Sequence, residues 1–157
     1  MMLSTLLSAL GLASLTSSLA FPGAVGFGAV STGGTGGTTC HVTNLNDSGS
    51  GSFRDCVSAS GRIVVFDVAG YIQLSSAVSL SSHLTIDGST APSPGIGIMA
   101  AEVSGSGKNN IIVTNVRFRQ GSLDSNTGKS AVNFGKASNI ILDHCSFAYG
   151  QWNSKSK

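Results

Sequence analysis

Charge is the scarcest commodity in this chain. Only 10% of its 157 residues are Asp, Glu, Lys or Arg, and the formal net charge is +2. The few basic residues stand singly, so the electrostatic footprint of a nucleic-acid-binding or membrane-surface protein is missing. Residues with strong helix propensity are also scarce, which argues against a helical bundle. No zinc-ligand spacing, phosphate-binding loop, nucleophile elbow or supported Cys/His dyad occurs. What the chain has instead is glycine, 21 of them, with abundant Ser and Thr. That composition belongs to a turn-rich β protein of a single domain.

Residues 3–19, "LSTLLSALGLASLTSSL", form an uncharged apolar run ending in Ser18-Leu19-Ala20. This has the hydrophobic region and small-residue cleavage site of a secretory signal, though no Lys or Arg precedes it. A membrane anchor is the alternative, but the run is short and diluted by Ser and Thr. The expectation is a signal peptide over 1–20, a single domain over 21–157, and a secreted protein.

Three cysteines in a secreted chain predict one bridge and one thiol. Cys40 opens the alternating stretch "CHVTNL". Cys56 lies in "SFRDCVS", where Ser52 and Asp55 have capping-box spacing and Phe53, Cys56 and Val57 share one face of a short helix. Cys40–Cys56 is therefore the expected disulfide, and Cys145 a buried, inert thiol. Asn46-Asp47-Ser48 is a glycosylation sequon in a turn-rich loop, with Asn46 the acceptor. Residues 21–37 have linker composition, yet Phe21, Val25, Phe27 and Val30 suggest an irregular arm laid over a core.

The most informative feature is a repeat. "NIIVTNVRFRQG" at 110–121 returns 29 residues later as "NIILDHCSFAYG" at 139–150, and "HLTIDG" at 83–88 is an earlier echo. Short β-rich strands recurring at such an interval, with no crossover helix, predict a parallel β-helix whose inward side chains stack coil on coil. Leu84, Ile111 and Ile140 then align inward, as do Ile86, Val113 and Leu142. Past a bend, Val116 aligns with Cys145 and Phe118 with Phe147, while Gly88, Asn115 and His144 share the corner. An antiparallel sandwich is the competing architecture, disfavoured by the missing tight hairpins. Arg117 and Arg119 alternate outward. By the same alternation Asp143 and His144 point to opposite faces.

The ordered series "AFPGAVGFGA", "HVTNLNDSGSGSFRDCV", "RIVVFDVAGYIQL", "LTIDGSTAPSPGIGI", "IIVTNVRFRQG" and "NIILDHCSF" resembles the N-terminal half of secreted pectate lyases over essentially all of 21–153. The resemblance implies an all-β fold: a right-handed parallel β-helix, or solenoid, with a short N-terminal capping helix. It also implies β-elimination on pectic polysaccharide, in which a base takes the C5 proton of a galacturonate and the C4 oxygen leaves. Family members hold Ca²⁺ on Asp and Glu oxygens to acidify that proton, and place an Arg beside it.

The chain departs from the family pattern at these points. Ser130, beside Lys129, stands where an acidic ligand is expected, and Asn153 stands where another is. Asp124 and Asn153 remain as candidate metal ligands. The family's catalytic Arg lies in later coils, so the chain is expected to be an incomplete portion of a longer lyase, catalytically silent by itself. Arg117 and Arg119 are candidate partners for uronate carboxylates, against an exposed ladder that only solvates the coil. Trp152 could stack on a sugar or pack on a further coil. The expected partner is pectic polysaccharide, with no nucleic acid, no membrane and a monomeric state. A non-catalytic carbohydrate-binding β-helix or an inactive remnant is the alternative.

Overall fold

The computed structural model describes residues 19–123 and 129–151, together with the backbone of 155–156. Alternating β-branched segments become short strands, because extended backbone sends successive side chains to opposite faces. They are β1 (Thr38–Val42), β2 (Arg62–Phe66), β3 (Gly70–Gln73), β4 (Val78–Ser79), β5 (Leu84–Asp87), β6 (Ile96–Met99) and β7 (Val103–Ser104). Then follow β8 (Asn109–Thr114), β9 (Val116–Arg119), β10 (Val132–Asn133), β11 (Ser138–Asp143), β12 (Ser146–Ala148) and β13 (Lys155–Ser156). Every pairing is parallel, in three sheets ordered β1-β2-β5-β8-β11, β3-β6-β9-β12 and β4-β7-β10-β13. The chain thus visits each sheet once per coil, and four coils stack beneath the additional strand β1.

The register is the one the repeat predicts. Leu84 pairs with Ile111 and Ile111 with Ile140. Ile86 pairs with Val113 and Val113 with Leu142. In the second sheet Phe118 pairs with Phe147, and their rings stack 5.3 Å apart. These columns fill the interior with Val, Ile, Leu and Phe. Burial is uneven along a column: Val113 is 1% exposed but Leu142, on the outermost described strand of its sheet, is 36% exposed. Strand alternation places a side chain on the inner face, but only a neighbouring coil on each side buries it completely.

A short helix, α1 (Phe53–Val57), closes the β1 end of the stack. The Ser52 hydroxyl accepts from the Asp55 N–H, and Phe53, Cys56 and Val57 are fully buried beneath. Cys56 is bonded to Cys40, 16 residues earlier on β1. Cys145 is a free thiol, and burial pushes its pKa up. Left-handed backbone recurs at the corners: His83 just before β5, and Asn110 and Asn139 at the second positions of β8 and β11, have φ +57, +53 and +53, and Asn115 and His144 turn the next bend at +56 and +50. Asn tolerates this region better than most residues.

The segment before β1 is an arm across the outside of the first sheet, as expected, but it is seated differently. Gly37 lies on the Gly61 carbonyl, Gly34 on that of Arg62, Gly33 on Thr85 and Ile112, and Gly28 on the Ile140 carbonyl. The arm therefore crosses from the fourth coil back to the first. Ala24, Ala29 and Ser31 are buried under it, whereas Val25, Phe27 and Val30 point to solvent. The expectation that apolar side chains lay the arm on the core is corrected for Val25, Phe27 and Val30, while Phe21 stays half-buried in a recess it shares with Ile63 and Ile112. Elsewhere backbone lies so close to backbone that only glycine and small residues fit beneath.

Candidate functional site

The outer face of the β3-β6-β9-β12 sheet carries the two outward arginines. Its rungs read Tyr71–Gly97–Arg117–Ser146 and Met99–Arg119–Ala148. Gly97 has no side chain, so the Tyr71 ring folds across it and meets Arg117, whose guanidinium carbon is 5.2 Å from the ring centroid. Arg117 Nη1 donates to the Pro94 carbonyl at 2.7 Å, and its Nε is buried with no partner among the described residues. Arg117 is thereby fastened into the sheet face. Arg119 reaches the next coil instead. Its Nη1 donates to the carbonyls of Phe118 and Ser146 at 3.0 and 2.9 Å, and Nη2 to Ser146 Oγ at 2.8 Å.

Arg119 forms one wall of an open cleft of about 530 Å³, lined also by Tyr71, Met99, Gly121, Leu123 and Tyr149. Tyr149 is 73% exposed and sits at φ +60, where its carbonyl accepts from the Gly121 N–H at 2.9 Å. Among the described residues the cleft joins aromatic and apolar walls to the polar Gln120 and Ser122 and a single charged fork, an arrangement suited to a ligand with an apolar face and an anionic group. Sequence reasoning found Arg119 but not Tyr71, Met99 or Tyr149. The one available signal was their outward phase, which becomes a site only once the coil register is known.

The corner leading into β10 is where the resemblance places calcium ligands. Ser130 is buried there, Lys129 is exposed, and the Ala131 carbonyl is taken by the Val103 N–H. Glu102, one coil earlier and in register with Ala131, is a nearly buried carboxylate that sequence reasoning passed over. Asp124, Trp152 and Asn153 lie outside the described residues. Among the described residues no three His, Cys, Asp or Glu side chains come together. Among the described residues this corner offers one carboxylate, Glu102, fewer charged oxygens than a cation that takes six or more oxygen ligands usually has.

The remaining candidates have ordinary surroundings. His144 Nδ1 lies 2.7 Å from Asp143 Oδ2, so the expectation that these two point apart is corrected. β11 ends at Asp143, and the left-handed φ of His144 swings its ring back along the chain. The pair is exposed, as is that of His41 with Asp67. Asn46 is exposed in its turn, its backbone N–H held by Asn44 Oδ1. Burial tends to raise the pKa of neighbouring Asp47, but hydrogen bonds from Arg54 and Ser75 outweigh it and hold the carboxyl below its usual value. Among the described residues no helix is long and apolar enough to cross a membrane.

These coils define a parallel β-helix with an outward-facing cleft. The cedar pollen allergen Jun a 1, a solved structure, superimposes with a TM-score of 0.66 over 81% of this chain and 42% of its own, at 19% identity. In sequence the chain is 45% identical over 147 residues to "Probable pectate lyase C" of Aspergillus terreus, covering 93% of this chain and 35% of that protein. The Aspergillus oryzae protein of the same name is 45% identical over 148 residues, and "Pectate lyase plyB" of Emericella nidulans 31% over 115. No protein-family model matches. Over the length it spans, the chain is a pectate lyase homologue, and it spans about a third of the curated relatives it matches.

Proposed function

We propose that the chain serves a secreted protein that binds acidic pectic polysaccharide and, in the length its relatives have, cleaves it by β-elimination. The observation that carries this is 45% identity to proteins named as pectate lyases across 93% of the chain, along coils whose register matches the aligned motifs. The Cys40–Cys56 bond suits an oxidising, extracellular location. Asn46 would carry a glycan in a glycosylating host, and the protein acts as a monomer. In the relatives' full length, Asp124 and Asn153 would share Ca²⁺ with acidic groups of later coils, and Trp152 and Arg117 would border the sugar.

A second reading is favoured by Ser130 and Lys129 at the calcium corner: binding of the polymer without cleavage. Both are tested by mixing the chain, and separately a version extended with further coils from a relative, with polygalacturonate. Retention of polymer by the chain and release of unsaturated, ultraviolet-absorbing ends by the extended version support the first reading. Retention by both with no unsaturated ends from the extended version sinks the lyase reading and leaves the second. Failure of the chain to retain polygalacturonate, with no unsaturated ends from the extended version, sinks both.

A further inference from the structure

Arg119 has a side of its guanidinium left over. The end formed by Nη1 and Nη2 is engaged: Nη1 donates to the carbonyl of Phe118 on its own strand and to that of Ser146 on the next coil, and Nη2 donates to Ser146 Oγ. Among the described residues no hydrogen bond engages Nε, and Nη2 has a second N–H. These two N–H groups lie along the other side of the fork, in the spacing that takes both oxygens of a carboxylate. Among the described residues no acidic side chain lines the cleft that Arg119 walls, and Arg119 takes part in no ion pair.

The walls are equally specific. Tyr71 belongs to the first coil and Tyr149 to the fourth, so the cleft follows the stack for about 14 Å at the usual strand spacing. That length accommodates a short run of sugar rings lying along the helix axis. An aromatic residue at φ +60 is held against its own preference, and here the consequence is an exposed ring beside Arg119. Phenol rings offer flat apolar faces to the C–H side of a pyranose, with a hydroxyl for its polar edge.

We infer that Arg119, Tyr149 and Tyr71 form a uronate subsite on the outer face of the β3-β6-β9-β12 sheet, one that holds the acidic sugar without a metal. The carboxylate sits on the Nε–Nη2 side of Arg119 and the ring rests on Tyr149. This rests on the proposal that the polymer is an acidic polysaccharide, and adds where and how it is gripped. Arg117, fastened to Pro94 and Tyr71, takes no carboxylate here.

The test is equilibrium binding of the full chain to polygalacturonate and to fully methyl-esterified pectin, in chelator and in calcium. Tyr149→Gly removes the ring while relieving the left-handed backbone, so it folds at least as well as the parent. Arg119→Gln removes the fork, and Arg119→Lys keeps its charge. In chelator, polygalacturonate should bind the parent, and both Tyr149→Gly and Arg119→Gln should weaken it about tenfold. Arg119→Lys should recover only part, and the esterified polymer should be nearly indifferent to Arg119→Gln. Undiminished binding by Tyr149→Gly and Arg119→Gln overturns the subsite and leaves the acidic-polysaccharide reading standing. If Arg119→Gln does not fold, the Tyr149→Gly result decides. Binding that requires calcium overturns the metal-free grip. No binding by the parent under either condition overturns both proposals together.

Discussion

Replacing Gly34 by alanine is the sharpest test of how the arm is held. A Cβ at Gly34 collides with the Arg62 carbonyl oxygen and meets the carbonyl carbon at 2.5 Å and the Ile63 nitrogen at 3.2 Å. Those atoms belong to β2, which is paired on both sides, so the sheet cannot move aside and the arm must lift. Lifting breaks the 3.0 Å bond from the Gly34 N–H to Thr85 Oγ1, worth about 1 kcal/mol. Relieving the overlap costs about 1–3 kcal/mol more. Alanine returns about 0.4–1 kcal/mol by restricting the unfolded chain. The net destabilisation is about 2 kcal/mol, a fall in melting temperature of about 6 °C for a chain of this size.

Gly36→Asn is the control two positions away. Nothing lies within 4 Å of a Cβ there, and asparagine tolerates its φ of +76. It should stay within about 1 kcal/mol of the parent. Denaturant unfolding followed by circular dichroism, with limited proteolysis of the arm, measures both. Gly34→Ala falling within about 0.5 kcal/mol of the parent would refute close seating of the arm. A penalty at Gly36 as large as that at Gly34 would mean that chain flexibility, and not contact with β2, sets the effect.

The same coordinates support three further expectations. Ile111→Ala should destabilise by about 3 kcal/mol, and Ile140→Ala, half-buried in the same column, by about half that; equal losses in denaturant titrations would contradict the burial gradient. Asp47 has a folded pKa below its unfolded value, so its contribution is present at neutral pH and is lost as pH falls from about 3.9 through the lower folded value. Asp47→Asn should therefore remove about 1 kcal/mol at pH 7 and narrow its gap to the parent in acid; a gap that widens below pH 4 would show the sign to be wrong. Secreted from a glycosylating host, the chain should run as a heavier band that Asn46→Gln or deglycosylation collapses, and an unchanged mass in both would exclude Asn46 as acceptor.

Much of this molecule is legible without coordinates, for a physical reason. A strand has a period of two and parallel coils repeat in phase, so "NIIVTNVRF" and "NIILDHCSF" can pair inside only one way. Leu84, Ile111 and Ile140 are readable as one column because a polar residue on the inner face would be expensive. The α1 cap follows from a spacing of three residues, where local chain geometry dominates, and the Cys40–Cys56 bond from a helix face that turns Cys56 under the cap toward a strand 16 residues earlier. Outward positions carry no such constraint. The rung joining Tyr71, Gly97, Arg117 and Ser146 spans loops of unequal length, and no repeat in the residues announces it.

Sequence alone therefore determined the coil register, the inward columns and the disulfide, since burial penalises every alternative phase. Tertiary structure alone decided which outward residues meet. It set the Tyr71 ring over Gly97, turned one side of Arg119 to Ser146 and left the other open, and swung His144 onto Asp143 through a single left-handed φ. It also laid the arm on its glycines with Val25 and Phe27 outward. Those outcomes depend on close approaches between backbones far apart in the chain, and such contacts leave no periodic trace in the order of residues.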